Sequence, residues 1–226
     1  LTEQIERPPA THPASIAAHR SHRSVLLDCI RTVAILAVLI YHVATRYDGQ
    51  DNLDAVASAM RRYGLLGVDV FFPLSGFLIT RYLIETTTSQ EIKVFFQRRF
   101  FRIVPLYLTA VTVFLAISLV LGAEAENADR VWITYLFLTG WFIFFDGSAN
   151  VPYTITWSLS VEEFAYILFG ILAWISRRNL MIFLVVISCA SLALRFYLNI
   201  DETGGVYNFP PARLDSIAIG GITAIL

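Results

Sequence analysis

The stretch IRTVAILAVLIYHV, from Ile30 to Val43, decides the fold. It is apolar except for Arg31 near one end and His42 near the other. Eleven helical steps return to within about 20° of the starting direction, so both side chains would share one face, about 16 Å apart along the axis. Asp28 falls on the same face. Ionisable residues in a membrane helix usually face a bundle interior or a wet cavity, so the stretch predicts a membrane helix with a functional face.

Similar apolar blocks follow along the chain. Of the 226 residues, 56% are hydrophobic, which is more than a soluble domain usually carries. About seven blocks, completed by flanking residues, could each form a membrane segment of roughly 20 residues. The fold class predicted is therefore all-α, a polytopic bundle of transmembrane helices. The blocks are Thr32–Thr45, Val70–Thr80, Ile103–Ala123, Val131–Phe145, Phe164–Ser176, Asn179–Leu194 and Ser216 to Leu226.

The chain begins differently. Residues 1–24 are polar and basic with three prolines, and they lack the apolar core of a signal peptide. We expect a disordered segment at 1–24 and a membrane domain at 25–226, incomplete at its C-terminal end because the chain stops within an apolar run. A net charge of −1 gives no reason to expect a nucleic-acid partner. The two cysteines show no metal-ligand spacing, so no metal is expected.

Loop charges predict an orientation for the first half. The segment 81–102 holds five Lys or Arg residues, the strongest cytoplasmic signal in the chain. The acidic residues Glu124, Glu126 and Asp129 then fall outside. This gives an inner N-terminus, a first helix that runs outward and a second helix that runs back. Arg177 and Arg178 would also favour the cytoplasm, with the acidic pair at 201–202 outside. That works only if Val131–Phe145 does not complete a crossing, and the sequence leaves this open.

Three further stretches carry candidate polar residues. In GVDVFFPLSGFLIT, residues 67–80, Asp69 opens the apolar run and could equally be an N-cap, while Ser75 and Gly76 suit close helix packing. In FFQRRFFRIVPLYL, residues 95–108, Arg99 and Arg102 reach one helical patch that suits phosphates. The alternative for this pair is a cytoplasmic anchor of the helix.

The last of these stretches is TWSLSVEEFAYILF, residues 156–169. Ser158, Glu162 and Tyr166 are spaced by four and line one helical stripe, while Glu163 points elsewhere, toward Tyr166 at three residues' distance. A carboxylate this close to an apolar segment favours a functional role. The alternative for the two Glu residues is an interfacial pair. For the first helix, the alternative is that Arg31 snorkels to one interface and His42 anchors the other end.

These stretches, in this order, resemble the membrane acyltransferase-3 family, which includes O-acetyltransferases of O-antigens and other glycans. The matching motifs are Arg-ten residues-His at Arg31 and His42, the glycine-to-isoleucine pattern at 67–79, R-x-x-R at Arg99 and Arg102, and W-S-L-x-V-E at 157–162. RLDSIAIGG, residues 213–221, is a weaker match. The family often reads E-E-Q-F-Y where this chain has Glu162-Glu163-Phe164-Ala165-Tyr166.

The resemblance implies acyl transfer, most often of acetyl, from acyl-CoA as co-substrate to a hydroxyl of a carbohydrate or small-molecule acceptor. It implies a multi-pass enzyme of a bacterial inner membrane, in contact with the lipid bilayer. His42 would act as general base, either in direct transfer or through a transient acyl-His.

The same resemblance implies the other roles. Glu162 would orient or charge-balance His42 or Arg31. Arg99, Arg102 and Arg31 would meet the coenzyme's phosphates, and Arg31 could instead serve the thioester oxygen. The acceptor would contact Asp69, Ser75, Trp157, Ser158 and Tyr166.

Two other classes of function remain open. A transporter or flippase of a glycan or metabolite would line its substrate path with the same charges. A membrane fragment that is inactive by itself is the third class.

Overall fold

The computed structural model describes residues 13–46, 58, 60, 63–64, 66–86, 88–121, 127–200 and 205–226. All regular secondary structure in these residues is helical, which confirms the all-α class. Its eight α-helices are α1 Pro13–Arg46, α2 Leu66–Glu85, α3 Ser89–Val120, α4 Trp132–Tyr135, α5 Thr139–Asp146, α6 Trp157–Ser176, α7 Leu180–Ile200 and α8 Pro210–Ile225.

Four stretches of the described residues are long and apolar enough to cross a membrane. They are Val25–Thr45, Leu66–Glu85, Gln90–Val120 and Thr154–Leu198, the last of which contains α6 and most of α7. At 1.5 Å per residue, a helix needs about 20 residues to span a hydrocarbon core of roughly 30 Å. By length and composition, these helices suit a membrane protein.

Contacts divide the chain into two compact units, residues 1–71 and 72–226, with the boundary inside α2. In the first unit, Gly67 lies against α1, because a Cβ atom there would come within 2.5 Å of the Ala34 carbonyl oxygen. We predicted disorder for residues 1–24. Those from Pro13 onward are helical in α1, and residues 1–12 lie outside the described residues, so the domain boundary stays a prediction.

In the second unit, α8 packs most extensively on α7 and also contacts α6. Glycines let α8 approach α2 at backbone distance. A Cβ on Gly76 would collide with the carbonyl of Ile217, and one on Gly220 would collide with the carbonyl of Pro73. The packing role expected for Gly76 is confirmed, since no larger residue fits such a crossing.

The block Val131–Phe145 does not form one long helix. It folds into α4 and α5, and Phe137 between them has a φ of 59°, in the left-handed region. The ring of Tyr107 from α3 stacks on Phe137 at 4.4 Å, and its hydroxyl donates to the Thr134 carbonyl at 2.8 Å. Packing against α3 thus supports the break.

The two ends of this block meet. Asn127 Nδ2 donates to the Ala149 carbonyl at 3.0 Å, and Arg130 Nη1 donates to the Asn150 carbonyl at 2.9 Å. Arg130 also pairs with Asp146. The chain therefore enters and leaves the α4–α5 region at the same place.

Candidate functional site

Helix α1 runs without interruption through Arg31 and His42, so the same-face prediction for these two side chains is confirmed by its helical geometry. Both side chains are half-buried. The His42 ring meets the Tyr41 ring edge-on at 5.1 Å, and Thr45 Oγ1 donates to the His42 carbonyl at 2.9 Å. The side chain of Asp28 lies outside the described residues.

Asp69 lies in the first turn of α2, which begins at Leu66, and it is half-buried. The N-cap alternative is therefore wrong, since an N-cap precedes the first helical residue. A carboxylate in the first turn still interacts favourably with the positive end of the helix dipole.

Three motif stretches that are distant in sequence meet at one buried carboxylate. Ser75 Oγ on α2 donates to Glu162 Oε1 on α6 at 2.9 Å. Arg99 Nη2 on α3 lies 3.4 Å from the same oxygen. Ser75 is fully buried and Glu162 is 7% exposed. Within the described residues no hydrogen bond is made to the other oxygen, Oε2, so one face of Glu162 is fixed and the other stays available.

Arg99 also holds the neighbouring carboxylate. Glu163 Oε1 accepts hydrogen bonds from Arg99 Nη2 at 2.7 Å and from Arg99 Nε at 3.2 Å. The sequence placed Glu163 off the stripe of Glu162 and toward Tyr166, but it did not predict the contact with Arg99, on which Glu162 and Glu163 converge. The Arg99 guanidinium carbon lies 3.2 Å from the centre of the Tyr166 ring, a cation–π contact that fixes its plane. We call Ser75, Arg99, Glu162, Glu163 and Tyr166 the carboxylate cluster.

Two other expected site residues lie about one helical turn from members of this cluster. Arg102, one turn beyond Arg99 on α3, is exposed, and Ser158 on α6 is half-buried. Beside the cluster, α3 and α6 enclose a cleft of about 380 Å³. Its walls are apolar except for Arg99, Glu163 and Gln97.

Trp157, the first residue of α6, belongs to a second cluster, which consists of aromatic rings and one guanidinium group. The Trp157 ring lies edge-on to Phe72 at 6.0 Å and tilts against Tyr207 at 5.2 Å. The Arg213 guanidinium lies 4.5 Å from the Tyr207 ring and 5.5 Å from the Phe72 ring. Arg213 is 4% exposed. Arg213 lies in the weaker motif match at residues 213–221, and the sequence pattern alone indicated no role for it.

The α7–α8 interface holds a further ion pair that sequence reasoning missed. Arg195 pairs with Asp215, which is buried, and Ser191 Oγ accepts a hydrogen bond from the Asp215 backbone N–H at 3.1 Å. Arg195 is the one charged residue within the apolar run of α7. That was a usable signal, because a lone intramembrane charge calls for a partner.

In the part of the chain that the structure describes, no group of three or more His, Cys, Asp or Glu residues could hold a metal ion. The polar groups of the site residues described above are carboxylates, guanidinium groups, hydroxyls and the His42 imidazole. Such groups can move protons and balance charge.

A family model described as an acyltransferase domain, acyltransferase 3, matches residues 25–220. The chain belongs to this acyltransferase family. The resemblance read from its motifs is confirmed.

Two relatives illustrate the similarity. The O-acetyltransferase OatA of Staphylococcus aureus (strain NCTC 8325 / PS 47) is 29% identical over 218 residues, covering 88% of this chain and 34% of its own length. The peptidoglycan O-acetyltransferase OatA of Listeria monocytogenes serovar 1/2a (strain ATCC BAA-679 / EGD-e) is 28% identical over 177 residues, covering 71% and 26%. The chain thus spans about a third of the Staphylococcus relative's length. No solved structure gives a significant match.

Proposed function

We propose that this chain carries out acyl transfer, in the first instance of acetyl, from a coenzyme A thioester to a hydroxyl group of a carbohydrate in or at a bacterial membrane. One observation carries the proposal beyond family membership. Ser75, Arg99 and Glu162, from three separate motifs, form one buried hydrogen-bonded cluster. Burying such polar groups together is costly unless they are fully paired, and functional sites are where proteins commonly accept that cost.

The depth of Arg99 and Arg102 on α3 suits a donor that arrives from the cytoplasm. The charge-free part of the helix, Ile103–Val120, is about 27 Å long, close to the roughly 30 Å of a bilayer's hydrocarbon core. The two arginines therefore lie at one edge of that core. By the charge bias of residues 81–102, it is the cytoplasmic edge, where coenzyme A thioesters are available.

The reaction needs a base, because an alcohol is a poor nucleophile at neutral pH. In the proposed step the acceptor oxygen attacks the thioester carbonyl carbon, so that a C–O bond forms and the C–S bond breaks. The His42 imidazole accepts the hydroxyl proton and returns it to the coenzyme thiolate. General-base catalysis of this kind is worth about 10²–10⁴ in rate.

The remaining site residues take supporting roles in the proposal. Arg31 neutralises the coenzyme's pyrophosphate or the thioester oxygen, and Arg102, which is exposed, meets a phosphate. Asp69 and Ser158, both half-buried, are our candidates for contacting the acceptor. Ser75, Trp157 and Tyr166, which we also expected to contact it, are buried, so we assign them to holding the site together.

The acceptor class follows from the relatives. The Listeria relative is named for peptidoglycan, so a cell-wall glycan is the first acceptor to test, ahead of other polysaccharides and small molecules. The transporter alternative gains no support from the family match.

The test uses the intact protein in proteoliposomes supplied with acetyl-CoA and peptidoglycan fragments. Thiol release and the acetylated glycan mass are both measured. The wild type and a Leu39→Ala control, altered at an exposed residue of α1, should produce both signals, and His42→Ala should lose at least about a hundredfold in rate. Full activity of His42→Ala would overturn the base assignment. Glycan movement without thioester consumption would point to transport instead.

A further inference from the structure

The two arginines of the R-x-x-R motif differ in their surroundings. Arg99 is 14% exposed at its side chain and is held by two carboxylates and a ring face. Arg102, three residues later, is exposed. The pair cannot therefore be treated as two equivalent ligands of one polyanion.

We infer that Arg99 is a positioning residue that fixes Glu162, and that Arg102 is the phosphate-binding member of the motif. This inference rests on the proposed function and divides its arginine pair into two roles.

The charged surroundings of the two arginines differ. Arg99 faces two carboxylates at 2.7 Å and 3.4 Å, so one cation is set against two potential anions. A phosphate that approached Arg99 would meet Glu163 as well, because both residues line the same cleft between α3 and α6. The phosphate and the Glu163 carboxylate would both be negative, and like charges lying close together repel strongly in a low-dielectric environment. Arg102 lies outside that cleft and carries no such penalty.

The donors of the Arg99 guanidinium are already in use. Arg99 uses Nε and Nη2 on Glu163 Oε1, while Nη2 also approaches Glu162 Oε1. The guanidinium plane is further fixed against the Tyr166 ring, which itself stacks on Phe95 with an interplanar angle of 8°. A phosphate bound side-on would need the same Nε–Nη2 fork, so binding it there would dismantle the cluster.

These contacts fix the orientation of the Glu162 carboxylate. Ser75 and Arg99 both act on Oε1 and leave Oε2 without a hydrogen bond among the described residues. Arg99 therefore sets the direction of Oε2 rather than contacting the donor. A displacement of about 1 Å passed on to the reacting groups can cost a hundredfold in rate, so we expect the loss of Arg99 to lower kcat rather than coenzyme affinity.

The experiment compares Arg99→Gln, Arg102→Gln and Glu163→Gln in the intact protein. It measures the Kd for coenzyme A and the kcat for acetyl-CoA turnover. Arg102→Gln should weaken coenzyme binding by about 10- to 100-fold, as expected for a lost hydrogen bond to a charged group. Arg99→Gln should leave Kd within about threefold of wild type and lower kcat by about a hundredfold. Glu163→Gln, which loosens Arg99, should also act on kcat.

A matched control is available in Arg81→Gln, which removes an arginine paired with Glu85 at 3.0 Å on α2 and should change neither constant. Equal losses of coenzyme binding in Arg99→Gln and Arg102→Gln would overturn the division of roles. Tighter coenzyme binding in Glu163→Gln would overturn it too, because that result means the carboxylate competes with phosphate for Arg99. If the wild type neither binds coenzyme A nor consumes acetyl-CoA, the proposed function fails instead.

Discussion

At the scale of single residues, Ser75 joins α2 to the carboxylate cluster by one hydrogen bond. Ser75→Ala removes the 2.9 Å bond to Glu162 Oε1 without changing the shape of the site appreciably. A hydrogen bond to a charged group is worth about 1.5–3 kcal/mol, so we expect kcat to fall about tenfold or more, with an unchanged Kd for coenzyme A.

Ser160→Ala is the control for this prediction. Ser160 is as buried as Ser75, but its Oγ has no hydrogen-bond partner among the described residues. A rate loss in Ser160→Ala as large as that in Ser75→Ala would show that any buried serine matters and would contradict the specific role of Ser75.

Residue spacing predicted part of this site. Steps of three and four along a helix placed Glu162 with Tyr166 on α6 and brought Arg99 near Arg102 on α3. Spacing could not predict that Glu163 turns to Arg99, because their contact joins two helices across 64 positions of sequence. Pairing of this kind is set by how α3 packs on α6, which no local pattern encodes.

At the scale of helices, the crossing of α2 and α8 depends on glycine. A Cβ at position 220 would collide with the Pro73 carbonyl, and backbone atoms cannot give way as a flexible side chain can. Gly220→Ala should therefore destabilise the protein by about 1–3 kcal/mol, measured as a lower melting temperature of the detergent-purified protein. Ile219→Ala, altering the exposed neighbour, should melt close to wild type. Equal melting temperatures for all three proteins would refute the tight crossing.

The same scale shows what apolar blocks can and cannot predict. Length and composition correctly indicated helix in the described part of every block, although four stretches of the described residues, rather than about seven, are long and apolar enough to cross a membrane. They did not show that Val131–Phe145 would break at Phe137, since that break involves a stacked ring from α3 and a left-handed backbone at a non-glycine residue. Such a conformation costs energy and depends on tertiary packing.

At the scale of the whole molecule, two contacts predict the membrane topology of residues 72–226. The α4–α5 region begins and ends at one place, and Arg177 Nη1, after α6, donates to the Thr86 carbonyl between α2 and α3. We therefore expect Arg177 and Arg178 on the cytoplasmic side with the start of α3. This agrees with the positive-inside bias and favours one of the two arrangements that the sequence left open.

Cysteine labelling tests this topology. In a background with Cys29 and Cys189 replaced by alanine, single cysteines at the exposed positions Asp129 and Ser148 should both react with a membrane-impermeant maleimide added outside intact cells. A cysteine at Arg178 should react only after the membrane is opened. Labelling of positions 129 and 148 from opposite sides would mean that the intervening block crosses the membrane.

The central claim is that the carboxylate cluster serves acyl transfer. The most direct measurement is the acetyl released by mild alkali from the cell-wall glycans of a deletion strain that expresses the wild type, Glu162→Gln or Glu85→Gln. Glu85 is an exposed carboxylate paired with Arg81, so its variant controls for the loss of one charge. With all three proteins present in the membrane at equal levels, our account predicts glycan acetylation in the wild type and in Glu85→Gln, and its loss in Glu162→Gln. Wild-type acetylation in Glu162→Gln would contradict the account.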